Sequence, residues 1–240
     1  MKQLSIILFF IFIFNTDAGA DTTTGLVGWW KFEEGSGSST IDSSGKGNTG
    51  TLVSSPTWLT NCKRGNCLSF SGSNYVNMGN VLNLTSQITV SAWVNASSWA
   101  GTWPMIVAKG VNSDYLLMQN DDNAGTKIGF RIGGAGPTNT ADGATDLNTN
   151  QWYLVTGTYD GLTINLYING ILDGTRARVG TIPTTGNSLQ IGGSGGLNYV
   201  GQIEDVRIYN RVLTAQEIYT LYLGDNRIRS GTLRSYQSKN

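Results

Sequence analysis

The stretch that decides the fold is QWYLVTGTYDGLTINLYING, residues 151–170. Its first half, residues 152–159, is rich in β-branched and aromatic residues, which favour strands. In its second half, apolar residues alternate with polar ones, which predicts a strand with one buried and one solvated face: Leu162, Ile164, Leu166 and Ile168. Asp160-Gly161 predicts a two-residue turn between the halves, because glycine adopts positive φ at little cost. The stretch therefore predicts an antiparallel β-hairpin.

Further strand-like runs recur at short intervals, at residues 28–33, 68–70, 75–78, 87–95, 105–109, 115–119, 127–132, 189–191 and 201–209. Gly72 predicts a hairpin between the runs at 68–70 and 75–78. A capping box at residues 214–217 predicts one helix over 215–223, which ends near Gly224. Many short strands without alternating helices are typical of a sandwich or jelly roll. The predicted fold class is all-β, an antiparallel β-sandwich with one short C-terminal helix.

The two ends of the chain differ from its middle. Residues 1–20 combine Lys2, an apolar run over 4–14 and a small-residue site at 18–20, which together predict a secretory signal peptide. The alternative, a membrane anchor, requires roughly 20 apolar residues. We therefore expect a secreted protein, extracellular or periplasmic, with one domain over 21–224 and no membrane span. Residues 225–240 form a polar, basic tail, which either contacts a partner or is a solvated terminus.

Composition narrows the functional classes. The 240 residues carry a formal net charge of zero, and their basic residues are not clustered, which argues against a nucleic acid partner. The two cysteines, Cys62 and Cys67, are expected to form a disulfide in an exported protein. A metal pair is the alternative, but the chain has no histidine to complete a tetrahedral site.

Several segments resemble a known family. In chain order they are GLVGWWKFEEGSG, DSSGKGNTGTL, CLSFSGSNYVNMG, ITVSAWV, WYLVTGTYDG, LYING and GQIEDVRIYNRVLTAQEI, between about residues 26 and 223. They look like the laminin G-like jelly-roll domain of the concanavalin A-like lectin/glucanase superfamily. The resemblance implies two curved antiparallel sheets with the first and last strands adjacent. It does not fix the function, because this fold carries lectins, glycosidases and adhesion modules.

Acidic residues argue against hydrolysis. Glycosidases place two carboxyl groups on either side of one glycosidic bond. The chain has four glutamates: Glu33, Glu34, Glu204 and Glu217. Glu33-Glu34 and Glu204-Asp205 are adjacent pairs, so their side chains are expected on opposite faces of a strand. We therefore predict a protein that is not an enzyme, with a divergent glycosidase as the least favoured reading.

A calcium site is the first candidate binding site. The glycine-punctuated loop DSSGKGN, residues 42–48, offers oxygen donors of the kind that calcium prefers. The resemblance implies a structural calcium where the first strands meet the last, with Asp42 and Asp205 at the matching acidic positions and Asn48 as a neutral donor. In the alternative reading, Asp42 forms a local turn and Asp205 pairs with Arg207 or Arg211.

A glycan site is the second candidate. Sugars stack on aromatic faces, and Trp99 and Trp103 lie in the loop SSWAGTWP. Polar residues expected on the neighbouring sheet face complete the site: Asp114, Tyr115, Gln119 and Arg131. In the alternative reading, Trp29, Trp93 and Trp152 fill the core, and the two loop tryptophans cover its edge. The sequence predicts a secreted, non-catalytic module that binds a glycan or another extracellular surface ligand; the alternative is an adhesion subunit that binds proteins.

Overall fold

The computed structural model describes residues 21–99, 103–119 and 126–224, so the predicted leader and tail lie outside the described residues. Eighteen strands and one α-helix follow in chain order: β1 (Leu26–Trp30), β2 (Ser39–Thr40), β3 (Gly50–Val53), β4 (Thr57–Leu59), β5 (Cys67–Ser71), β6 (Tyr75–Gly79), β7 (Ile88–Ser98), β8 (Met105–Lys109), β9 (Tyr115–Gln119), β10 (Ile128–Ile132), β11 (Thr140–Asp142), β12 (Tyr153–Tyr159), β13 (Thr163–Ile168), β14 (Ile171–Ala177), β15 (Leu189–Ile191), β16 (Gly193–Ser194), β17 (Leu197–Asn198), β18 (Val200–Tyr209) and α1 (Ala215–Leu223). A 3-10 turn, Pro137–Asn139, precedes β11.

The strands form two sheets. The first sheet has the order β14-β13-β12-β7-β18-β5-β4, with β1 also paired to β18. The second sheet has the order β11-β10-β9-β8-β15-β6-β3-β2, with the short strands β16 and β17 beside it. Their ladders are antiparallel apart from a single parallel bridge between β17 and β8. The predicted antiparallel sandwich is confirmed.

The main core lies between the sheets and follows from the alternation of the strands. On β7, Ile88, Val90, Ala92 and Val94 all belong to this core. Trp93 points to the opposite face, where it is buried with residues of α1. Strand β12 lies inside the first sheet and pairs with β7 on one side and β13 on the other. Every second residue of these strands is apolar and faces inward. A shift of one residue in the strand pairing would turn these residues outward, so their burial fixes the register.

The first and last strands are adjacent, as the resemblance implied. Strand β1 pairs with the end of β18, with Trp30 opposite Val206 and Trp29 opposite Arg207. Strand β5 pairs with the beginning of β18, where Ile203 is opposite Leu68. One long strand therefore holds two shorter ones end to end along the same edge.

Two local predictions are wrong. The hairpin turn lies one residue later than predicted: Gly161, at φ 96°, and Leu162 are its central residues, and the Asp160 amide donates to the Thr163 carbonyl. Leu162 is consequently 60% exposed instead of buried. The runs around Gly72 do not form a hairpin, because β5 pairs within the first sheet and β6 within the second.

The helix α1 covers the outer face of the first sheet and has the predicted bounds. The Thr214 side chain accepts from the Glu217 amide, and the Glu217 carboxylate accepts from the Thr214 amide, which completes the capping box. Gly224 follows the last helical residue. Within the part of the chain that the structure describes, no helix has the length and apolar character needed to cross a bilayer.

Substituting Gly157 tests the close contact between the sheets. A Cβ atom at Gly157, on β12, would lie 2.1 Å from the Phe130 ring of the opposite sheet. Gly157→Ala is therefore expected to lower the free energy of unfolding by about 1–3 kcal/mol through overpacking. Gly134→Ala is the control, because the nearest atom to its Cβ is 3.9 Å away. Urea denaturation of both variants measures the difference, and equal midpoints would contradict this packing.

Candidate functional site

A β-bulge in β18 creates the candidate site on the outer face of the first sheet. The residue register between β18 and β7 shifts between Glu204 and Arg207, and Asp205 has φ 50°. Ile203 and Val206 both lie in the core, so the alternation skips one position there. Glu204 and Asp205 consequently line one outward-facing cavity. The prediction that these two carboxyl groups point to opposite faces is wrong, because the bulge interrupts the two-residue period.

Trp29 contributes the aromatic surface of the cavity. Its neighbour Trp30 is fully buried in the core, whereas Trp29 is half-buried on the outer side of β1. The indole Nε1 of Trp29 donates to Asp205 Oδ1 (2.6 Å). Lys31 Nζ lies 4.1 Å from the centroid of the Trp29 ring, and Arg207 Cζ lies 4.4 Å from it. The indole therefore lies among cations of the chain itself.

The Cys62–Cys67 disulfide closes the loop that forms the opposite wall. Two carboxylates hold this loop by its backbone: the Lys63 amide donates to Glu204 Oε2 (3.0 Å), and the Asn66 amide donates to Glu33 Oε2 (3.2 Å). A Cβ atom at Gly65 would lie 2.1 Å from Glu33 Oε1, so a larger residue there would displace the Glu33 carboxyl group. The predicted disulfide is confirmed, and it is part of the site.

Arg64 in the same loop joins the site to the helix. Its guanidinium contacts Asp205 Oδ2 (3.1 Å) and donates to the carbonyl oxygens of Leu221 and Tyr222 in the last turn of α1. Asp205 also pairs with Arg207 (2.9 Å). Two arginines thus neutralise Asp205, and carbonyl groups at the negative end of the helix dipole satisfy Arg64.

Six residues line the resulting open cavity: Trp29, Lys31, Glu33, Arg64, Glu204 and Asp205. Its volume is about 140 Å³. Small-molecule sites typically measure about 300–1,000 Å³. The cavity therefore has room for one substituent or one end of a ligand, and a larger ligand would extend over the surrounding surface.

Glu204 is the unusual group of the cavity. It is only 2% exposed, and its Oε1 atom has no hydrogen-bond partner among the described residues. Burial raises the pKa of Glu204 to about 7, against the opposing effect of the nearby Arg64 and Lys63 backbone amides. A carboxyl group in this environment exchanges its proton near neutral pH.

The tryptophans of the predicted glycan loop are less exposed than expected. Trp99 is 9% exposed, belongs to the main core and lies edge-on to Tyr199. Its carbonyl accepts from Gln119 Nε2 (2.8 Å). Trp103 is half-buried against the outer face of the second sheet, and Arg131 Cζ lies 5.7 Å from its ring centroid. The expected exposure is wrong for Trp99, since its side chain fills the core; residues 100–102 between the two lie outside the described residues.

The remaining members of the predicted glycan site are buried and hold loops. Asp114 accepts from the Thr185 hydroxyl (2.6 Å) and amide (3.2 Å), and the Tyr115 hydroxyl donates to the Leu82 carbonyl (3.2 Å). Arg131 donates to Thr140 Oγ1 (2.8 Å) and to Asn112 Oδ1 (2.6 Å). Tyr115 lies in the core, whereas Arg131 stacks on Trp103 outside it. These contacts do not unite the six predicted residues in one site, and sugar binding by the loop stays a prediction.

The alternative assignment of the tryptophans is also only partly right. Trp29 lies at the surface, and its neighbour Trp30 takes the core position. Trp93 is buried under α1, where it stacks on Tyr222 with a centroid distance of 5.8 Å, and Trp152 is partly buried in the same cluster. The sequence signal that could have found the cavity is the pair Trp29-Trp30 itself, because adjacent residues of a strand point to opposite faces.

The residues predicted to bind calcium do not fit a cation in this arrangement. Asp42 Oδ1 accepts from the Trp29 and Ser44 amides (both 2.9 Å), and Asp42 Oδ2 accepts from the Asn48 amide (3.0 Å) and side chain (2.9 Å). Burial acts to raise the pKa of Asp42, but these hydrogen bonds outweigh it and keep the pKa below its ordinary value. Four N–H groups therefore face the oxygens that a metal would need.

The third predicted ligand, Asp205, belongs to the Trp29 cavity, where Arg64, Arg207 and the Trp29 indole occupy its oxygens. Asp42 forms the local turn of the alternative reading, and Asp205 pairs with Arg207 as that reading expected. Arg211 instead pairs with Glu217 of the helix cap (2.7 Å). The described residues contain no group of three or more acidic, cysteine or histidine side chains placed to hold a metal.

Comparisons with known proteins agree with this fold. A laminin G family model, described as the concanavalin A-like lectin/glucanases superfamily, matches residues 70–219. A comparison with curated proteins gives no match.

Similar solved structures share the fold at low sequence identity. Domain 4 of AbnA, an extracellular arabinanase from Geobacillus stearothermophilus, in complex with arabinotriose, is 20% identical with a TM-score of 0.67, over 82% of this chain and 98% of that one. A Trypanosoma rangeli sialidase mutant displaying trans-sialidase activity is 20% identical with a TM-score of 0.63, over 86% and 34%. The ligand binding domain of botulinum neurotoxin serotype D, in complex with N-acetylneuraminic acid, is 18% identical with a TM-score of 0.60, over 85% and 52%.

Glu204→Gln tests the buried carboxyl group through the pH dependence of stability. A carboxyl group whose pKa rises on folding stabilises the fold below its unfolded value of 4.5. That contribution disappears as the pH rises through about 7. Glutamine does not ionise and can still accept from the Lys63 amide. The stability of the variant relative to the parent is therefore expected to increase by about 1–3 kcal/mol between pH 5 and pH 8. Urea denaturation across this range measures it, and a constant difference would contradict the assignment.

A calcium titration tests the fit of Asp42, Asn48 and Asp205. Because the carboxylate oxygens of Asp42 and Asp205 already accept hydrogen bonds, we expect the same thermal unfolding midpoint in excess calcium and in chelator. Asp42→Asn serves as the control for the turn and should lower the midpoint without added metal, because an amide cannot accept all four N–H groups. A midpoint that rises with calcium in the parent protein, but not in Asp42→Asn, would show that the loop rearranges into a cation site.

Proposed function

Because the chain belongs to the laminin G family of the concanavalin A-like lectin/glucanase superfamily, we propose that it is a secreted, non-catalytic module that binds carbohydrate at the Trp29 cavity. Domains of the same fold have been solved with arabinotriose and with N-acetylneuraminic acid, which supports a glycan as the ligand class. Neither likeness identifies the sugar. The groups that line the cavity support the choice of site.

The observation that carries the proposal is the half-exposed indole of Trp29 beside polar groups that the fold does not fully use. Trp29 offers an aromatic surface of the kind on which the C–H face of a sugar ring packs. The Lys31 ammonium group makes no hydrogen bond or ion pair with another described residue, and Glu204 Oε1 is unpartnered in the same sense. Donors and acceptors beside an aromatic surface are what fixes the orientation of a ligand in a concave site.

The carboxyl groups of the cavity support binding in preference to hydrolysis. Asp205 forms ion pairs with both Arg64 and Arg207, so its carboxylate is already neutralised. Glu33 and Glu204 each hold a backbone amide of the disulfide loop. A retaining or inverting glycosidase needs one carboxylic acid and one free carboxylate on either side of the scissile bond. Here each of the three carboxyl groups already holds part of the cavity wall.

Three features support an extracellular location for the proposed module. The predicted leader at residues 1–20 precedes the described domain. The Cys62–Cys67 disulfide is of the kind that persists in oxidising compartments. The site depends on this disulfide, because the loop that it closes supplies one wall. An oxidising environment therefore suits both the fold and the proposed binding.

A protein partner is the second candidate, and one surface feature favours it. Ile171 and Leu172, at the start of β14, and Tyr219, on α1, are large, exposed apolar side chains. Gly170 packs directly against Tyr219, which brings these side chains to one region. A module that bound protein through this region would tolerate changes in the Trp29 cavity.

A glycan array with single-tryptophan variants tests the proposed site. Trp29→Leu should reduce binding to the preferred glycan at least about tenfold, because stacking and desolvation at the indole are lost. Trp103→Leu is the matched control, since it removes the same side chain from the loop site that the sequence predicted. Circular dichroism and thermal unfolding of each variant separate lost binding from lost folding.

Each pattern of results has a definite meaning. Binding that survives Trp29→Leu but not Trp103→Leu would move the site to the loop of the second sheet. The absence of glycan binding by the folded parent protein would remove the proposal in favour of a protein partner. Release of reducing sugar from a bound polysaccharide would show an enzyme.

A further inference from the structure

The cavity at Trp29 already holds a primary ammonium group, that of Lys31. Lys31 Nζ lies 4.1 Å from the indole centroid, within the range of cation–π attraction. The side chain is exposed and makes no hydrogen bond or ion pair with the described residues. The other cation on this ring, Arg207, is fixed by Asp205. Lys31 is thus the one cation at the indole that a ligand can replace without breaking a polar contact of the described fold.

The charges of the lining favour a cation in that place. Arg64 and Arg207 both pair with Asp205, and Arg207 also lies on the indole. When Lys31 leaves the cavity, these two arginines and the three carboxyl groups of Glu33, Glu204 and Asp205 remain, which gives a net charge of −1 when Glu204 is ionised. A second ammonium group restores the balance, whereas a carboxylate of an acidic sugar would meet like charge.

We propose that the Trp29 cavity selects an amino sugar with a free primary ammonium group, which displaces Lys31 from the indole and lies beside Glu33 and Glu204. The inference rests on the proposed carbohydrate function and specifies its ligand class. A volume of about 140 Å³ accommodates such a substituent, with the rest of the glycan outside the cavity. An N-acetyl group at the same position removes the charge and adds bulk, so it is rejected on both counts.

Isothermal titration with matched oligosaccharides tests the selection. The probes are a glucosamine oligomer, its fully N-acetylated counterpart and a glucose oligomer, all with the same linkage and length. The glucosamine oligomer is expected to bind about tenfold more tightly than either of the others. Equal or tighter binding of the acetylated or glucose oligomer would overturn the amino-sugar inference and leave the carbohydrate function in place, whereas no binding of any probe or of any arrayed glycan would overturn both.

Charge variants separate a built site from general attraction of a polycation. Glu33→Gln and Glu204→Gln should each reduce the preference for glucosamine at least about threefold. Glu34→Gln makes the same charge change next to the cavity, where Glu34 instead holds Thr40 and the Ile41 amide, and it should leave the preference unchanged. Lys31→Met removes the competing ammonium group and should tighten binding. Equal losses in Glu33→Gln and Glu34→Gln, or weaker binding by Lys31→Met, would contradict the proposed replacement.

Discussion

The pairing of the first strand with the last, across a bulge, is the constraint on which the rest of the site depends. Apolar side chains of β1 and β18 must face the core on both sides of the bulge, and Trp30 and Val206 do so as direct partners. Because the bulge inserts one residue between Ile203 and Val206, two consecutive polar residues face outward there. The bulge therefore keeps the core continuous and also places Glu204 and Asp205 together beside Trp29. Without the bulge, one of these carboxyl groups would point into the sandwich, where an unpaired charge is very costly.

Much of the fold is predictable because burial and periodicity coincide along most strands. The runs at 105–109, 115–119 and 189–191 and the helix at 215–223 appear with the predicted bounds. The missed strands are short or exposed, such as β2, β4 and β14, whose residues do not alternate between apolar and polar. The predicted hairpin of β5 and β6 does not form, because the short connection through Gly72 crosses from the first sheet to the second. The local sequence predicts that a segment forms a strand. Which strand it pairs with depends on the packing of the whole sandwich.

The site was less predictable than the fold for a definite physical reason. The two-residue period of a strand predicts that Glu204 and Asp205 face opposite ways, but Asp205 departs from this period with φ 50°. Their place in a loop predicts exposure for Trp99 and Trp103, but Trp99 packs in the core next to Tyr199. Trp29 lies in a strand, and its outward position follows from the core position of its neighbour Trp30. The residue types of the cavity are visible in the sequence, whereas their proximity arises only when the first and last strands pair.

The cavity contains groups whose placement does not serve stability alone. Asp205 and Arg64 tie strand, loop and helix together, and their partners are complete. Glu204 differs, because one oxygen holds the Lys63 amide and the other has no partner among the described residues. A glutamine would hold the same amide without the desolvation penalty of a buried carboxylate at neutral pH. The ammonium group of Lys31 likewise lies on an indole and makes no hydrogen bond to the described fold. Buried or stacked charged groups that are not needed for stability are concentrated at functional sites. A bound ligand can provide the interaction partner that these groups lack in the free protein. In this protein both of them line the same small cavity beside Trp29, and that coincidence supports the proposal of a ligand site there.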